Sequence, residues 1–253
     1  ILRKNFGKYD ETNIKSNKKY NLEGLPASGI LRVATPGDYR PMACWEPRLQ
    51  AYRGFDIELV RSLAAALGLG VTFCRTSWQR LETEARHAAF DLAVGGISRT
   101  QERVATLTVS AGYLATGKTI LCRQGEEARF SDLAAINRAD VRVVCNPGGT
   151  NEAFVRRFLP QADVRLFPEN AAIPGEIAAG RGDVMLTETV EAAYYIRRYP
   201  GLMAPLLQRP FSRGEFCFLF GRDFAPAAGQ VDRFLASFRQ QGMLQRLTDQ
   251  YLS

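Results

Sequence analysis

The sequence predicts an α/β protein of two lobes with a ligand cleft between them. Short apolar runs with strand character alternate with helical patterns along the chain, and this alternation is typical of βαβ units. It forms two similar blocks, and residues 214–253 return to the pattern of the first block. A chain of 253 residues, 46% of them hydrophobic, can bury a core in each lobe. We expect lobe 1 to comprise residues 28–120 plus 214–253, and lobe 2 to comprise residues 121–213.

The first block alternates three strands with two helices. ILRVAT, residues 30–35, predicts a buried strand, and GDYRPM after it predicts a turn. Apolar side chains at helical spacing over residues 54–70 indicate an amphipathic helix, which Gly68 ends. The strand VTFCRTSW, a short helix over residues 80–87 and the strand FDLAVGGI complete the block.

The second block repeats this alternation. VRVVC, DVRLFP and DVMLTE are its strands, and NEAFVRRFLP, AAIPGEIAAGRG and VEAAYYIRRYP are its helices. The strand FCFLFGRD and one long amphipathic helix over residues 232–252 end the chain. Ligands of open α/β sheets bind at the carboxyl ends of strands, and those ends carry GDY, TSW, GGIS, NPGGTNE and TETVE. The polar groups therefore cluster where a site is expected.

The net charge of +7 does not indicate a nucleic-acid partner. Five of the six lysines lie within the first nineteen residues, and no basic stripe interleaved with aromatic residues occurs. Residues 1–27, rich in Lys and Asn, differ from the rest, and we interpret them as an atypical N-terminal leader. No apolar run is long enough for a membrane span, and residue 1 does not open a signal peptide. We expect the mature form of an exported protein.

Few residues of the sequence are suited to metal binding or redox chemistry. The chain has one histidine, His87, which we interpret as a surface residue, and five cysteines without C-x-x-C spacing. Each cysteine lies in or next to an apolar run, so buried thiols are favoured, although one disulfide is possible in an oxidising compartment. We predict no metal site and no organic cofactor.

Arg103 is a candidate carboxylate ligand. It follows Ser98, at the strand end GGIS, by five residues. A guanidinium group makes two parallel charge-assisted hydrogen bonds to a carboxylate, and Ser98 adds a hydroxyl and a backbone N–H. The alternative is an ordinary surface arginine.

NPGGTNEAF places two glycines at a strand end, directly before a helix. Gly148 and Gly149 permit close approach to the backbone, and Thr150 or Asn151 can cap the helix, whose free N–H groups then face an anion. The segment lacks the Gly-Lys-Ser/Thr ending of a P-loop, and a purely structural turn is the alternative.

Three further charged residues stand out. Lys118 is the only lysine after residue 19, and its compact ammonium can approach a carboxylate closely, although chance placement at the crossing between lobes explains it equally well. Glu188 and Glu191 are spaced i, i+3, so both lie on the first turn of one helix. Acidic residues are favoured there in any protein, but in a cleft two close carboxylates repel and one keeps a proton.

Several segments resemble the periplasmic amino-acid-type solute-binding proteins of family 3. They are LRVATPGDYRPM, GFDIEL, FDLAVGGISRTQER and the basic amphipathic C-terminal helix, and the resemblance covers residues 29–252. TPGDYRP, TSW, GISxxxER, GKT, NPGGTNE and the T-E-x-x-E of TETVE further resemble the cyclohexadienyl dehydratases, which convert prephenate to phenylpyruvate or arogenate to L-phenylalanine. The resemblance implies a type II periplasmic-binding-protein fold, each lobe a mixed sheet flanked by helices, with a periplasmic location and self-association.

The resemblance also implies residue roles. Glu191 stands at the position of the general acid, and Lys118 matches the lysine of GKT, with a substrate-binding or electrostatic role in catalysis. The implied substrate-binding residues are Asp38, Tyr39, Trp78, Gly96, Ser98, Arg103, Gly149, Thr150, Asn151 and Glu188. Two residues depart from the pattern, because Glu188 replaces an Asp and Met42 replaces an aromatic residue, and both bear on substrate choice.

A second function fits the same scaffold. A non-catalytic protein that delivers an amino acid to an ABC permease would use Arg103 and Glu188 to hold the zwitterion, with Tyr39 and Trp78 on either side of the ligand. Such a protein does not need Glu191, Lys118 and NPGGTNE together, so these features favour the enzyme.

Overall fold

The computed structural model describes residues 25–252. Two five-stranded sheets, each flanked by helices, form two lobes with a cleft between them, so the predicted two-lobe α/β fold is confirmed. The interpretation of residues 1–27 as a leader falls almost entirely outside the described residues.

Lobe 1 contains a mixed sheet. Its strands are β1 (Ile30–Thr35), β5 (Gly70–Arg75), β6 (Leu92–Ser98), β7 (Leu114–Thr116) and β13 (Gly214–Phe220), in the order β5–β1–β6–β13–β7. Strand β1 is parallel to β5 and β6, whereas β13 is antiparallel to β6 and β7. The return of β13 places the C-terminal part of the chain in lobe 1.

Lobe 2 contains a second mixed sheet. Its strands are β8 (Lys118–Arg123), β9 (Arg142–Cys145), β10 (Asp163–Leu166), β11 (Val184–Glu188) and β12 (Leu202–Met203), in the order β10–β9–β11–β8–β12. Strand β9 is parallel to β10 and β11, and β8 is antiparallel to β11 and β12.

The helices cover both sheets. They are α1 (Phe55–Ala66), α2 (Leu81–Arg86), α3 (Gln101–Thr106), α4 (Leu133–Ile136), α5 (Thr150–Phe158), α6 (Ile173–Ala178), α7 (Thr189–Ile196), α8 (Ala228–Gln240) and α9 (Met243–Tyr251). Three 3₁₀ turns span Glu127–Phe130, Asn170–Ala172 and Arg222–Ala227. Helix α1 buries its apolar stripe, as the spacing predicts. Among residues 25–252, no helix combines the length and apolar character that crossing a bilayer requires.

Each sheet has a core on both faces. Along β1, Val33 packs with the cluster under α1 while its neighbour Ala34 packs with a cluster around Leu81. Along β11, Leu186 and Met185 likewise belong to different clusters. Because successive strand side chains point to opposite faces, the segments 33–34 and 184–186, which are buried on both faces, are apolar without alternation. All five cysteines are free thiols, four of them buried.

The crossing between lobes lies earlier than the sequence suggests. Thr116 ends β7 in the first sheet and Lys118 begins β8 in the second, so the chain crosses at Gly117. The expected lobe boundary after residue 120 therefore falls inside β8. A Cβ at Gly117 would stand 2.0 Å from the carbonyl oxygen of Ser212 on the returning chain, so the two crossing segments pack closely.

Two local expectations are wrong. GDYRPM is not only a turn, because Asp38–Tyr39 forms β2 of a small antiparallel sheet with β3 (Ala43–Glu46) and β4 (Ala51–Arg53). The predicted single C-terminal helix is two helices, α8 and α9, separated at Gly242. Gly242 has φ of 70°, a left-handed conformation that ends α8 and that side-chain-bearing residues disfavour.

Candidate functional site

A small cavity lies between the lobes, at the carboxyl ends of the strands. Its lining residues are Tyr39, Trp78, Gly96, Ser98, Arg103, Asn146, Gly149, Thr150, Asn151 and Glu188. The structure thus brings together the site residues that the sequence predicts, except Asp38, Lys118 and Glu191. These three lie outside the lining, and Asn146 is a lining residue that was not predicted.

The wall from lobe 1 is aromatic. Tyr39 contacts Trp78 edge to face, with 6.0 Å between ring centroids. Gly96, with φ of 76°, lies under the Tyr39 ring, and a Cβ there would come within 2.8 Å of it. The Trp78 indole N–H donates to Asp38 at 3.1 Å, and burial raises the pKa of Asp38 to about 6. Asp38 therefore orients the indole and does not itself line the cavity.

Asp56 fixes the glycine turn behind this wall, and sequence reasoning missed it. Its carboxylate accepts from the backbone N–H groups of Gly95 and Gly96, both at 2.8 Å, and from the hydroxyl of Tyr113 at 2.7 Å. Burial raises the pKa of Asp56 to about 6 although these donors favour the charged form. The signal was present in GFDIEL, where an acid occupies a position on the buried side of α1.

Arg103 is buried at the start of α3. Its Nη1 donates to the Ser98 carbonyl oxygen at 2.8 Å, and its Nε donates to Glu82 at 3.0 Å. These bonds hold the guanidinium plane, and no hydrogen bond within residues 25–252 engages Nη2. A fixed, partly unused guanidinium group at a cavity wall is suited to a carboxylate. Glu82, on α2, was not predicted.

Lys118 lies behind the cavity and binds three of the residues around it. Its ammonium donates to Glu188 at 2.7 Å, to Thr150 at 2.8 Å and to the Asn151 side-chain oxygen at 2.6 Å. All three ammonium hydrogens are thereby used. Glu188 in turn accepts from Ser98 at 2.6 Å, so this network spans both lobes.

The glycine turn of NPGGTNE begins α5 as expected, but the capping differs. Gly149 is the N-cap residue, and neither Thr150 nor Asn151 caps the helix with its side chain. The Asn151 amide instead donates to Asn146 at 3.1 Å. The Thr150 and Asn151 side chains are thus committed to Lys118 and Asn146, and the helix N-terminus faces the cavity.

Glu188 and Glu191 have different surroundings. Glu188, the N-cap of α7, pairs with Lys118, whereas no ion pair within residues 25–252 involves Glu191. Glu191 is fully buried and accepts from the Thr187 hydroxyl and from the Asn170 amide at 2.8 Å. Burial raises its pKa to about 8 although both hydrogen bonds favour the carboxylate. One carboxyl is thus charged and paired, and the other holds a proton at neutral pH.

The cleft does not gather the ligands of a metal. Among the residues that the structure describes, no group of three or more His, Cys, Asp or Glu side chains is arranged to bind an ion. The acidic groups that meet here bind Lys118, Trp78, Thr187 and backbone amides instead.

A two-lobe scaffold with a polar cleft of this kind defines a class of ligand-binding proteins, and the sequence places the chain within it. Residues 31–253 match the family described as bacterial extracellular solute-binding proteins, family 3. The chain belongs to this family.

Individual relatives are more specific. The chain is 37% identical over 231 residues to the cyclohexadienyl dehydratase of Pseudomonas aeruginosa, covering 91% of this chain and 85% of that protein. It is similar in structure to an ancestral cyclohexadienyl dehydratase, at 40% identity and a TM-score of 0.54, over 89% of this chain and 93% of that one. It is also similar to the ancestral amino acid-binding protein AncCDT-1, a precursor of cyclohexadienyl dehydratase, at 29% identity and a TM-score of 0.81, over 89% and 96% of the two chains.

Proposed function

We propose that this chain is a cyclohexadienyl dehydratase, which converts prephenate to phenylpyruvate, arogenate to L-phenylalanine, or both. The observation that carries the proposal is the different environment of two carboxyls at the cleft, those of Glu188 and Glu191. Glu188 is neutralised by Lys118, whereas Glu191 is buried and, within residues 25–252, pairs with no cation. A dehydratase needs a proton for the leaving hydroxyl, and a protonated, buried carboxyl is suited to supply it.

The substrate carboxylates meet the cationic and N–H groups of the cleft. In this proposal Arg103 holds one carboxylate, and the N-terminus of α5, from Gly149 to Asn151, supports the second together with Lys118. Trp78 and Tyr39 pack against the ring. Positioning of this kind is a main part of the catalysis, because the reaction is unimolecular once the acid is in place.

Glu191 supplies the proton. The proton goes to the ring hydroxyl of the substrate, the C–O bond breaks, and water leaves. The ring carboxylate departs as CO2, and the electron pair of its C–C bond completes the aromatic ring, so no oxidant or cofactor enters the balance. Glu191 does not border the cavity in this closed arrangement. We expect the substrate to shift the Tyr39 side chain, which then packs against the ring, because within residues 25–252 no hydrogen bond fixes its buried hydroxyl.

The second candidate is an amino-acid-binding protein serving an ABC permease, and the likeness to AncCDT-1 favours it. In that function Glu188 would bind the ligand ammonium. The position beside Glu188 is already taken by the ammonium of Lys118, at 2.7 Å. This internal cation competes with the ammonium group of an amino-acid ligand for Glu188, so the arrangement supports the dehydratase function.

Turnover tests the proposal directly. The protein is incubated with prephenate, and separately with arogenate, and phenylpyruvate or phenylalanine is measured. Glu191→Gln should abolish turnover, by about 10²-fold or more, and keep ligand binding, because the amide fills the same space without an acidic proton. Glu127→Gln, outside the cleft, is the matched control and should retain full activity. No turnover by the parent protein, beside thermal stabilisation by an amino acid, would establish the binding function instead.

We also propose a periplasmic location, because the chain belongs to a family of bacterial extracellular solute-binding proteins. Self-association stays a prediction, and a permease partner belongs only to the binding-protein alternative.

A further inference from the structure

Asn170 connects the two lobes at the buried carboxyl of Glu191. It lies in the 3₁₀ turn Asn170–Ala172 of lobe 2 and is fully buried. Its amide nitrogen donates to the Glu191 carboxyl at 2.8 Å and to the backbone carbonyl of Asp38, in β2 of lobe 1, at 3.3 Å. The two amide hydrogens thus reach one acceptor in each lobe.

The Asp38 carbonyl fixes the orientation of this amide. A backbone carbonyl can only accept a hydrogen bond, so the nitrogen of Asn170 must face it. The same nitrogen then faces Glu191, and the buried side-chain oxygen of Asn170 finds no hydrogen-bond partner in the described part of the chain. If the Asp38 carbonyl moves away with lobe 1, the amide can rotate. Its oxygen can then accept the acid proton of Glu191.

We propose that Asn170 is a positioning residue that couples closure of the lobes to proton donation by Glu191. In the closed lobes the amide can only donate to Glu191, and a hydrogen bond from an N–H is stronger to a carboxylate than to a neutral carboxyl. Closure therefore stabilises the carboxylate that forms as the proton leaves. With the lobes apart, the amide is free to accept the proton and so to retain it. The inference rests on the proposed function, in which Glu191 is the general acid.

The other groups near Glu191 act on its protonation in the same way whether Asn170 donates to it or accepts from it. Asp38 and Glu188 place negative charge near Glu191 and favour its protonated form. Tyr39 and Tyr195 also face it, and both phenols are neutral because burial raises their pKa values well above the usual range. The donors that favour ionised Glu191 are Thr187 and Asn170. The Thr187 hydroxyl can donate or accept, so Asn170 is the obligate donor.

The pH profile of kcat tests the inference. Asn170→Ala removes a donor to the ionised acid, so the pKa of Glu191 rises and the acid becomes weaker. We expect at least a tenfold loss of kcat, a smaller change in KM, and an alkaline limb about one pH unit higher than in the parent protein. Asn137→Ala, which removes a half-buried side chain that accepts from the backbone N–H of Gln161 far from the cleft, is the control and should reproduce the parent profile.

Asn170→Asp provides a second variant if Asn170→Ala fails to fold, as judged by circular dichroism. It fills the same space, places a carboxyl beside Glu191 and should move the limb in the same direction, because adjacent carboxyls hold a shared proton to higher pH. An active parent protein with unmoved limbs in the folded variants overturns this inference alone. A parent protein that turns over neither prephenate nor arogenate refutes the proposed function, and this inference with it.

Discussion

Replacing Lys118 by Met tests whether the internal ammonium blocks an amino-acid site. Met keeps the length and apolar stem of Lys and removes the charge. The change deletes three hydrogen bonds, to Glu188, Thr150 and Asn151, and leaves the Glu188 carboxylate with the hydroxyls of Ser98 and Thr116. Glu188 then becomes a buried carboxylate without a cation.

The cost follows from the burial of both partners. The side chains of Lys118 and Glu188 are 9% and 5% exposed, and removing one partner of such a buried pair destabilises a protein by about 3–5 kcal/mol. Protonation of Glu188 limits the loss, so we expect the lower end, about 3 kcal/mol. At about 2–4 °C per kcal/mol for a chain of this size, Tm should fall by about 6–12 °C. The double variant Lys118→Met/Glu188→Gln should recover most of this loss, since it buries no unpaired charge.

The decisive readout is the ligand dependence of Tm. L-Phenylalanine carries an ammonium that can replace Lys118 beside Glu188, whereas phenylpyruvate has the same ring and carboxylate without it. We expect L-phenylalanine to raise Tm of Lys118→Met more than that of the parent protein, and phenylpyruvate to show no such gain. Saturation at 100 times Kd corresponds to about 2.7 kcal/mol. Equal stabilisation of both proteins by L-phenylalanine would refute the competition between Lys118 and a ligand ammonium.

Three further outcomes follow from the same structure. Gly96→Ala should lose at least about 1–2 kcal/mol, measured by denaturant unfolding, because φ of 76° is left-handed and the new Cβ meets the Tyr39 ring at 2.8 Å. Arg103→Lys should raise KM tenfold or more in steady-state kinetics, since an ammonium cannot keep the bonds to Glu82 and Ser98 while holding a carboxylate on a second edge. The pKa of Glu191, about 8 in the fold, exceeds its ordinary value of 4.5, so its stabilising contribution is complete below pH 4.5 and lost as pH rises through 8. Thermal unfolding from pH 5 to 9 should therefore show a steeper loss for the parent protein than for Glu191→Gln.

The fold was predictable because local pattern and global architecture agree. The buried strand Val184–Glu188 begins with an apolar run over residues 184–186, and α1 carries its apolar stripe at helical spacing. The strand ends then locate the cleft without any tertiary information. The break between α8 and α9 was missed because Gly242 interrupts an apolar pattern that continues on both sides of it, and pattern alone does not reveal a left-handed residue.

Residues that act through other residues could not be predicted from spacing. Glu82 reaches Arg103 from another helix, and Asp56 holds Gly95 and Gly96 from far along the chain. Asn170 acts across the lobe boundary. Such contacts form only when distant segments of the chain come together in the fold. Since polar residues of these types are common on any protein surface, their identity alone does not single them out. The residues that line the cavity follow strand ends directly, so sequence reasoning found nearly all of them.

The charges of the cleft explain why the proton of Glu191 matters for binding as well as for chemistry. Arg103 and Lys118 carry two positive charges, and their partners Glu82 and Glu188 carry two negative ones. The four charges therefore cancel. Binding of a dianionic substrate then depends on the N–H groups of α5 and on the absence of further negative charge. Ionised Glu191 would add that charge in a place from which water is excluded, and would repel the substrate. In the proposed function, the burial that keeps Glu191 protonated would both admit the dianion and supply the acid, so substrate affinity and turnover should fall over the same range of rising pH.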